Sequence, residues 1–161
     1  MTQPLPRRDP ADQARLESML VQMFEQRIAF NQLLGLKVES LRAADTRMSF
    51  AMQPQFVGNF SQERLHGGVI AAALDSLGGL ALTVAIAERH AHEATMQVLQ
   101  RFAKMGTIDL RIDFLRPGIS PRFEATAEVL RLGGRVGSTQ MRLADAEGRL
   151  IATGAAAYIV S

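Results

Sequence analysis

The stretch H-G-G-V-I-A-A-A-L-D-S-L-G-G-L-A-L-T-V, residues 66–84, decides what the rest of the chain can build. Its larger apolar residues recur every three or four positions, which is helical spacing: Val69, Ile70, Ala73, Leu74, Leu77, Leu80, Ala81 and Val84. The opposite side of such a helix is mostly alanine and glycine, so it has no polar face to turn to water. A helix that is apolar almost all round is a buried one. The stretch therefore predicts a central helix enclosed by other elements.

After residue 106 the helical spacing gives way to alternation with period two. Apolar and polar residues alternate through 107–114, which indicates a half-buried strand. Similar segments at 122–129, 135–144 and 150–160 predict three more strands, separated by turn signals at 117–118, 133–134 and 145–148. Because these connections are short, we expect the four strands to pair in sequence order as an antiparallel meander.

The residues before the central helix and just after it predict further elements. Asp9 and Pro10 are typical of a helix start, and apolar residues at helical spacing predict one amphipathic helix from there to near Gly35. Residues 36–41 and 47–52 predict a β-hairpin, and 53–65 an ordered loop. Residues 88–105 are predicted as a connector with some helix.

These elements predict an α+β architecture, a six-stranded antiparallel sheet wrapped around one long central helix, with an extra N-terminal helix. This arrangement is the hotdog fold. We expect one domain over residues 10–161 and a disordered segment over residues 1–9. Because one sheet covers only part of a helix that is apolar all round, a second copy should close the core. The expected assembly is a homodimer, with pairing into a dimer of dimers as the next step.

Composition excludes several classes of protein. The chain has no cysteine, which rules out a disulfide framework, a thiolate zinc site and a cysteine nucleophile. A net charge of +2 is not the composition of a nucleic-acid-binding protein. We find no stretch that approaches the roughly 20 apolar residues of a membrane span, and no apolar segment follows Arg7 and Arg8 as in a leader. We therefore expect a cytoplasmic protein with no stable membrane association.

Gly67 and Gly68 lie where the loop enters the central helix. Backbone N–H groups in the first turn of a helix have no intrahelical acceptor and carry the positive end of the dipole. Glycine there allows a ligand to approach the backbone, so this pair could polarise a carbonyl and stabilise an oxyanion. A tight entry turn explains the same two residues equally well, and the sequence leaves both explanations open.

Asp75 lies in the middle of the same helix. A carboxylate among leucines and alanines costs several kcal/mol unless it is paired or faces a cavity, and no basic residue lies three or four positions away on the helix. One explanation is a partner from elsewhere in the fold. The other is that Asp75 activates water, or attacks a carbonyl itself, in the hydrolysis of an activated ester.

Helix geometry separates these two candidate groups. Gly67 and Asp75 are eight residues apart, which is about 12 Å along the axis of a helix. One carbonyl cannot easily contact both in the same chain. If the amide holds the substrate oxygen and the carboxylate supplies the attack, the two groups should come from different protomers, with antiparallel central helices side by side.

The run L-H-G-G-V-I-A-A-A-L-D, residues 65–75, resembles the H-G-G signature of hotdog thioesterases of the PaaI-like group. T-I-D-L-R-I-D-F-L-R-P-G at 107–118 and the ending G-R-L-I-A-T-G-A-A-A-Y-I-V at 148–160 are similar to the strands of that group. The resemblance covers residues 33–160. The long N-terminal helix and the segment 88–104 are most similar to the YigI-like branch, which implies medium- to long-chain acyl-CoA substrates and no cofactor.

The resemblance also implies roles for individual residues. Asp75 matches the acidic general base or nucleophile, Gly67 the N–H donor to the thioester carbonyl, and His66 the residue that orients the loop. Asn59 is the candidate for the asparagine that holds the thioester or the water, although seven positions rather than six separate it from His66. The hydroxyl residue that many relatives have after the aspartate is not assigned, since Thr83 has no clear match.

Substrate contacts are implied at one turn and at three arginines. The turn at Gly134 resembles the place where relatives hold the pantetheine arm along a strand edge. Arg116, Arg131 and Arg135 are candidates for the nucleotide phosphates, because guanidinium groups suit phosphate oxygens. Ordinary solvated arginines are the alternative explanation.

Two other functions remain open from the sequence. A hotdog hydratase or dehydratase needs a histidine paired with a carboxylate, and the other histidines, His90 and His92, fall in the connector. A non-catalytic acyl-CoA-binding or regulatory protein would follow if Asp75 were locked in a salt bridge. We expect no metal site, because His90, His92 and Glu93 are typical of polar surface.

Overall fold

The computed structural model describes residues 6–161. Four α-helices lie at Pro10–Gln22 (α1), Ala29–Leu34 (α2), Gly67–Arg89 (α3) and Thr95–Phe102 (α4). The strands are Lys37–Arg42 (β1), Asp45–Ala51 (β2), Val57–Asn59 (β3), Arg64–Leu65 (β4), Gly106–Phe114 (β5), Arg122–Leu132 (β6), Val136–Asp145 (β7) and Leu150–Ile159 (β8). Six of these strands form one antiparallel sheet that curls around α3, which confirms the predicted hotdog fold.

The strand order corrects the predicted meander. The sheet runs β1-β2-β6-β7-β8-β5, so β5 pairs with β8 at the far edge and not with β6. Residues 115–121 connect β5 to β6 and contain Pro117 and Pro121, which remove two backbone donors from any tight hairpin. An extended link of this length reaches over 20 Å, enough to cross the roughly 14 Å that separates β5 from β6.

α3 is the core of the molecule. Thirteen of its residues are buried, and the inner face of the sheet contributes Phe50, Phe123, Met141 and Leu143 against it. By length and composition α3 could span a membrane, because its most apolar window has a mean hydropathy of 2.0. The prediction that no stretch approaches the length and apolar composition of a membrane span was therefore wrong. Because 61% of that window is buried inside the protein, α3 is the core helix of the fold.

The N-terminal helix ends at Gly35 as predicted, but it is not one continuous helix. A π-helical turn at Met23–Arg27 follows α1, and Ile28 is extended before α2 begins. Residues on both sides of the break form hydrogen bonds that do not belong to the helix. The Glu25 carboxylate accepts from the Val38 backbone N–H, and Asn31 Nδ2 donates to the Phe24 carbonyl. Competing tertiary hydrogen bonds therefore bend a segment whose apolar spacing is helical throughout.

The prediction of a disordered segment over residues 1–9 falls partly on residues 1–5, which lie outside the described residues, whereas Arg8 and Asp9 contact folded elements. The Arg8 guanidinium donates to the Ala87 carbonyl in the last turn of α3 and to the Glu93 carbonyl in the segment that follows it. Asp9 caps α1 by accepting from the Asp12 backbone N–H at 2.9 Å. Free carbonyls at a helix end attract a cation, so the end of α3 holds the Arg8 side chain.

The remaining predictions hold with small changes. The hairpin β1–β2 is present, the loop 53–65 contains a short 3₁₀ turn and the small hairpin β3–β4, and the connector contains α4. Thr95 at the start of α4 bonds to Asp12 of α1, which attaches the connector to the N-terminal helix.

Candidate active site

Asp75 lies on α3 at the border between the part that the sheet covers and the part that it leaves uncovered. It is half-buried, and it continues a line of partly or fully exposed small residues, Gly68, Ala71 and Ala72, along the N-terminal half of the helix. The sequence had placed Asp75 in fully apolar surroundings. Among residues 6–161 no lysine, arginine or histidine forms an ion pair with its carboxylate. The charge is therefore held without a counter-ion, on a surface of small apolar residues.

Thr107 supplies the hydrogen bond that orients this carboxylate. Its Oγ1 donates to Asp75 Oδ1 at 2.9 Å from the start of β5. Thr107 could not be predicted from the sequence, because the expected hydroxyl was one on the helix itself, and Thr107 follows Asp75 by 32 residues across the long connector. The hydroxyl of Thr83 instead donates to the Gly79 carbonyl of its own helix, at a position only 1% exposed.

The N-terminus of α3 is organised by His66. His66 is the N-cap, and its Nδ1 accepts from the Gly68 backbone N–H at 2.8 Å. The His66 N–H donates to the Phe56 carbonyl, and Gly58 packs so closely that an added Cβ would lie 2.8 Å from the His66 Cα. The Gly68 amide is thus engaged, whereas Gly67, the first helical residue, has an N–H that no carbonyl of the helix can accept.

Removal of the His66 side chain should destabilise the start of α3. His66→Ala leaves the Gly68 N–H without its acceptor, and loss of an N-cap costs about 1 kcal/mol, or roughly 2–4 °C in Tm for a chain of this size. Thermal unfolding measures the change. His66→Asn is the control, because asparagine is itself a strong N-cap and should retain most of the stability. Equal losses in both variants would contradict the capping role.

Gly67 opens into a surface pocket of about 390 Å³. Phe114, Arg116 and Pro117 line the pocket beside it, and a Cβ added to Gly67 would approach the Phe114 ring to 3.1 Å. The Arg116 guanidinium donates to the Leu150 carbonyl at 2.9 Å while remaining exposed. A carbonyl could therefore reach the first amide of α3 in a pocket lined by two cationic side chains, those of Arg64 and Arg116.

The other proposed substrate residues lie elsewhere. Arg131, Gly134 and Arg135 are exposed around the β6–β7 turn, and an added Cβ at Gly134 would meet nothing within 4 Å. Arg89 at the end of α3 donates to carbonyls of this turn, and 22 residues of helix, about 33 Å, separate it from Gly67. One chain does not bring Arg116 and these two arginines to the same place.

Asn59 lies in the β3–β4 hairpin, and its side chain forms hydrogen bonds within the turn. The Asn59 Oδ1 accepts from the backbone N–H of Ser61 at 3.1 Å and from its hydroxyl at 2.7 Å. The residue is exposed. A contact with substrate would have to come from its Nδ2 group, which has no acceptor among the described residues.

His90, His92 and Glu93 come together more closely than the sequence indicated. One ligand atom from each lies within 4.8 Å of the others. However, Arg101 donates to both Glu93 carboxylate oxygens, and these hydrogen bonds hold the pKa of Glu93 below its usual range. Burial, followed by the charge of Arg101, lowers the pKa of His90. The Arg101 guanidinium thus already occupies the Glu93 carboxylate of this cluster.

Similarity to known proteins agrees with the fold. A long helix held in a curled six-stranded antiparallel sheet defines the hotdog class. The family model described as Thioesterase superfamily matches residues 62–152, and the chain belongs to that family. It is 42% identical over 139 residues to a Salmonella typhimurium protein named medium/long-chain acyl-CoA thioesterase YigI, covering 86% of this chain and 90% of the relative.

Two further comparisons agree. The Escherichia coli K12 protein with the same name is 41% identical over 139 residues, again covering 86% of this chain and 90% of that one. The crystal structure of a Shewanella oneidensis protein, described as related to the thioesterase superfamily, has a TM-score of 0.88 and 34% identity, with coverage of 96% of this chain and 100% of that one.

Proposed function

We propose that this chain is a cytoplasmic acyl-CoA thioesterase that hydrolyses medium- to long-chain acyl-CoA to the free acid and CoA. The observation that carries the proposal is the Asp75 carboxylate, half-buried on α3, bonded to Thr107 and without an ion pair in the described chain. Relatives that are 41–42% identical have names that specify this activity. No metal or other cofactor takes part in the proposed reaction.

The reaction needs only water and the thioester. Asp75 accepts a proton from water as the water oxygen attacks the carbonyl carbon, or attacks that carbon itself and is released by water in a second step. The Gly67 N–H stabilises the negative oxygen that forms. In the first route the C–S bond then breaks, the acid is released, and the CoA thiolate takes up the proton held by Asp75. In the second route the C–S bond breaks as an acyl anhydride forms on Asp75, and water hydrolyses this anhydride, which releases the acid, restores the carboxylate and supplies the proton that the thiolate takes up.

A homodimer would unite these groups. The helix keeps Gly67 and Asp75 about 12 Å apart along its axis in one chain. The exposed line on α3 lies beside β5, an edge strand with Ile108 and Phe114 each 59% exposed. A second copy docked antiparallel on this side would cover that surface, extend the sheet and bring Gly67 of each protomer to Asp75 of the other. Two such dimers could pair further into a dimer of dimers.

The same homodimer would place the separated arginines around one bound substrate. Arg116 lies beside Gly67. Arg135 is two residues before Gly137 in β7. Gly137 pairs with Tyr158 of β8, and Tyr158 pairs with Thr107 of β5, so the start of β7 lies at the same level of the sheet as Thr107. In the shared site, Arg116 of one protomer and Arg131 and Arg135 of its partner would flank the thioester, with Gly68 and Gly134 leaving room for the pantetheine arm. His66 and Asn59 would shape the loop around the acyl group.

Release of free thiol from acyl-CoAs of increasing chain length tests the function. The chain has no cysteine, so a thiol reagent reports only the CoA product. We expect the highest kcat/KM with medium and long acyl chains, because longer chains bury more apolar surface. Tight acyl-CoA binding without turnover by the wild-type protein would instead favour the non-catalytic binding protein.

A further inference from the structure

Tyr158 is a buried aromatic residue that contacts the turn of α3 carrying Asp75. It is 2% exposed, and its hydroxyl donates to the Asp75 backbone carbonyl at 2.9 Å. Burial raises the pKa of this hydroxyl well above its usual range, and the negative charge of Asp75 raises it further. The hydroxyl therefore stays protonated and remains a donor wherever the enzyme works.

Gly78 makes this contact possible. A Cβ at this position would lie 2.2 Å from the Tyr158 hydroxyl oxygen, 2.8 Å from the Met141 sulfur and 3.0 Å from the Thr139 hydroxyl. Glycine is among the poorest residues for the interior of a helix. Its presence where the phenol oxygen packs against α3 indicates that the close contact matters more here than helix propensity.

Tyr158 and Thr107 each donate a hydrogen bond to Asp75. The two residues are directly paired across β8 and β5, so their side chains leave the same face of the sheet. Thr107 bonds to the carboxylate and Tyr158 to the backbone carbonyl of the same residue. One cross-strand pair thus attaches the side chain and the main chain of Asp75 to the sheet.

We propose that Tyr158, admitted by Gly78, is a positioning residue that sets the angle and height of the Asp75 carboxylate relative to the thioester. The inference rests on the proposed function, because the carboxylate must be in place for attack. Tyr158 does not touch substrate; it acts through the backbone of Asp75. Small displacements of a catalytic group reduce the rate of the chemical step more than they reduce substrate binding.

The test is Tyr158→Phe, which removes one oxygen and keeps the ring. We expect kcat to fall about tenfold, with KM unchanged within about twofold and Tm nearly retained. Thr83→Val is the matched control: it also deletes a buried hydroxyl that donates to a carbonyl of α3, the one of Gly79, but leaves Asp75 in place. Its kcat should stay within about twofold of wild type.

Gly78→Ala adds a second readout. The new Cβ displaces the phenol, so kcat and Tm should both fall. In the Tyr158→Phe background the closest clash is absent, so Tm should recover in part while kcat stays low; the contacts with the Met141 sulfur and the Thr139 hydroxyl remain. A kcat for Tyr158→Phe within twofold of wild type would overturn the proposal, as would equal losses in Tyr158→Phe and Thr83→Val.

Amide hydrogen exchange separates this inference from the proposed function. Loss of the Tyr158 bond should loosen the turn, so the Gly79 amide should exchange several-fold faster in Tyr158→Phe than in wild type. If the wild-type protein hydrolyses no acyl-CoA, the proposed function fails, and this measurement alone decides the positioning role. Unchanged exchange at Gly79 would then overturn it.

Discussion

Asp75→Asn is expected to lower kcat for acyl-CoA hydrolysis by a factor on the order of 10²–10⁴, the usual contribution of a positioned general base. Asparagine has nearly the shape of aspartate, and its Oδ1 can still accept the hydrogen bond from Thr107. It cannot accept a proton from water or attack a carbonyl. Because the loss is confined to the chemical step, KM should change little and acyl-CoA should still bind.

Glu17→Gln is the matched control for that variant. It neutralises an exposed carboxylate on α1, which takes no part in the proposed site or in the proposed dimer contact. Its activity should remain near that of wild type, because the net charge changes equally in the two proteins. Unchanged hydrolysis by Asp75→Asn, or an equal loss in both variants, would show that Asp75 does not drive the reaction.

Gly67→Pro should lower kcat by a factor on the order of 10²–10³, the typical effect of removing one oxyanion donor. Proline has no backbone N–H, and the first helical position is where a helix tolerates it best. The preceding residue, His66, is extended with φ −68° and ψ 135°, the conformation that a residue before proline prefers. The substitution therefore deletes the donor with little change to α3.

Gly67→Ala is the control that isolates the amide. It introduces the same Cβ beside the Phe114 ring, 3.1 Å from the nearest carbon, but retains the N–H. We expect a loss of no more than several-fold, from displacement of a ring that is itself 59% exposed. Equal activity of the alanine and proline variants would remove the Gly67 amide from the mechanism.

The two inactive variants together test the shared site. Co-expression with different tags allows the mixed dimer of Asp75→Asn and Gly67→Pro to be isolated. If each site takes Gly67 from one protomer and Asp75 from the other, one of its two sites is intact, and about half of the wild-type activity should return. A site contained within one chain predicts an inactive mixed dimer.

Local patterns carried most of the fold prediction. The apolar run from Val69 to Val84 specified a buried helix, and period-two alternation specified the strands after it, because side-chain spacing along the chain reflects which faces are covered. The same run identified Asp75 as the charged residue that needs an explanation. None of these inferences required knowledge of distant contacts.

The tertiary structure decided how distant segments meet. The sequence by itself determined one enclosing sheet, one central helix and a carboxylate on it, since each follows from periodicity or from the cost of burying charge. Only the folded chain placed β5 beside β8, set Thr107 and Tyr158 as a pair against Asp75, and separated Arg116 from Arg135. Strand order and cross-strand pairing depend on chain crossings and on residues far apart in sequence, and no local spacing encodes them.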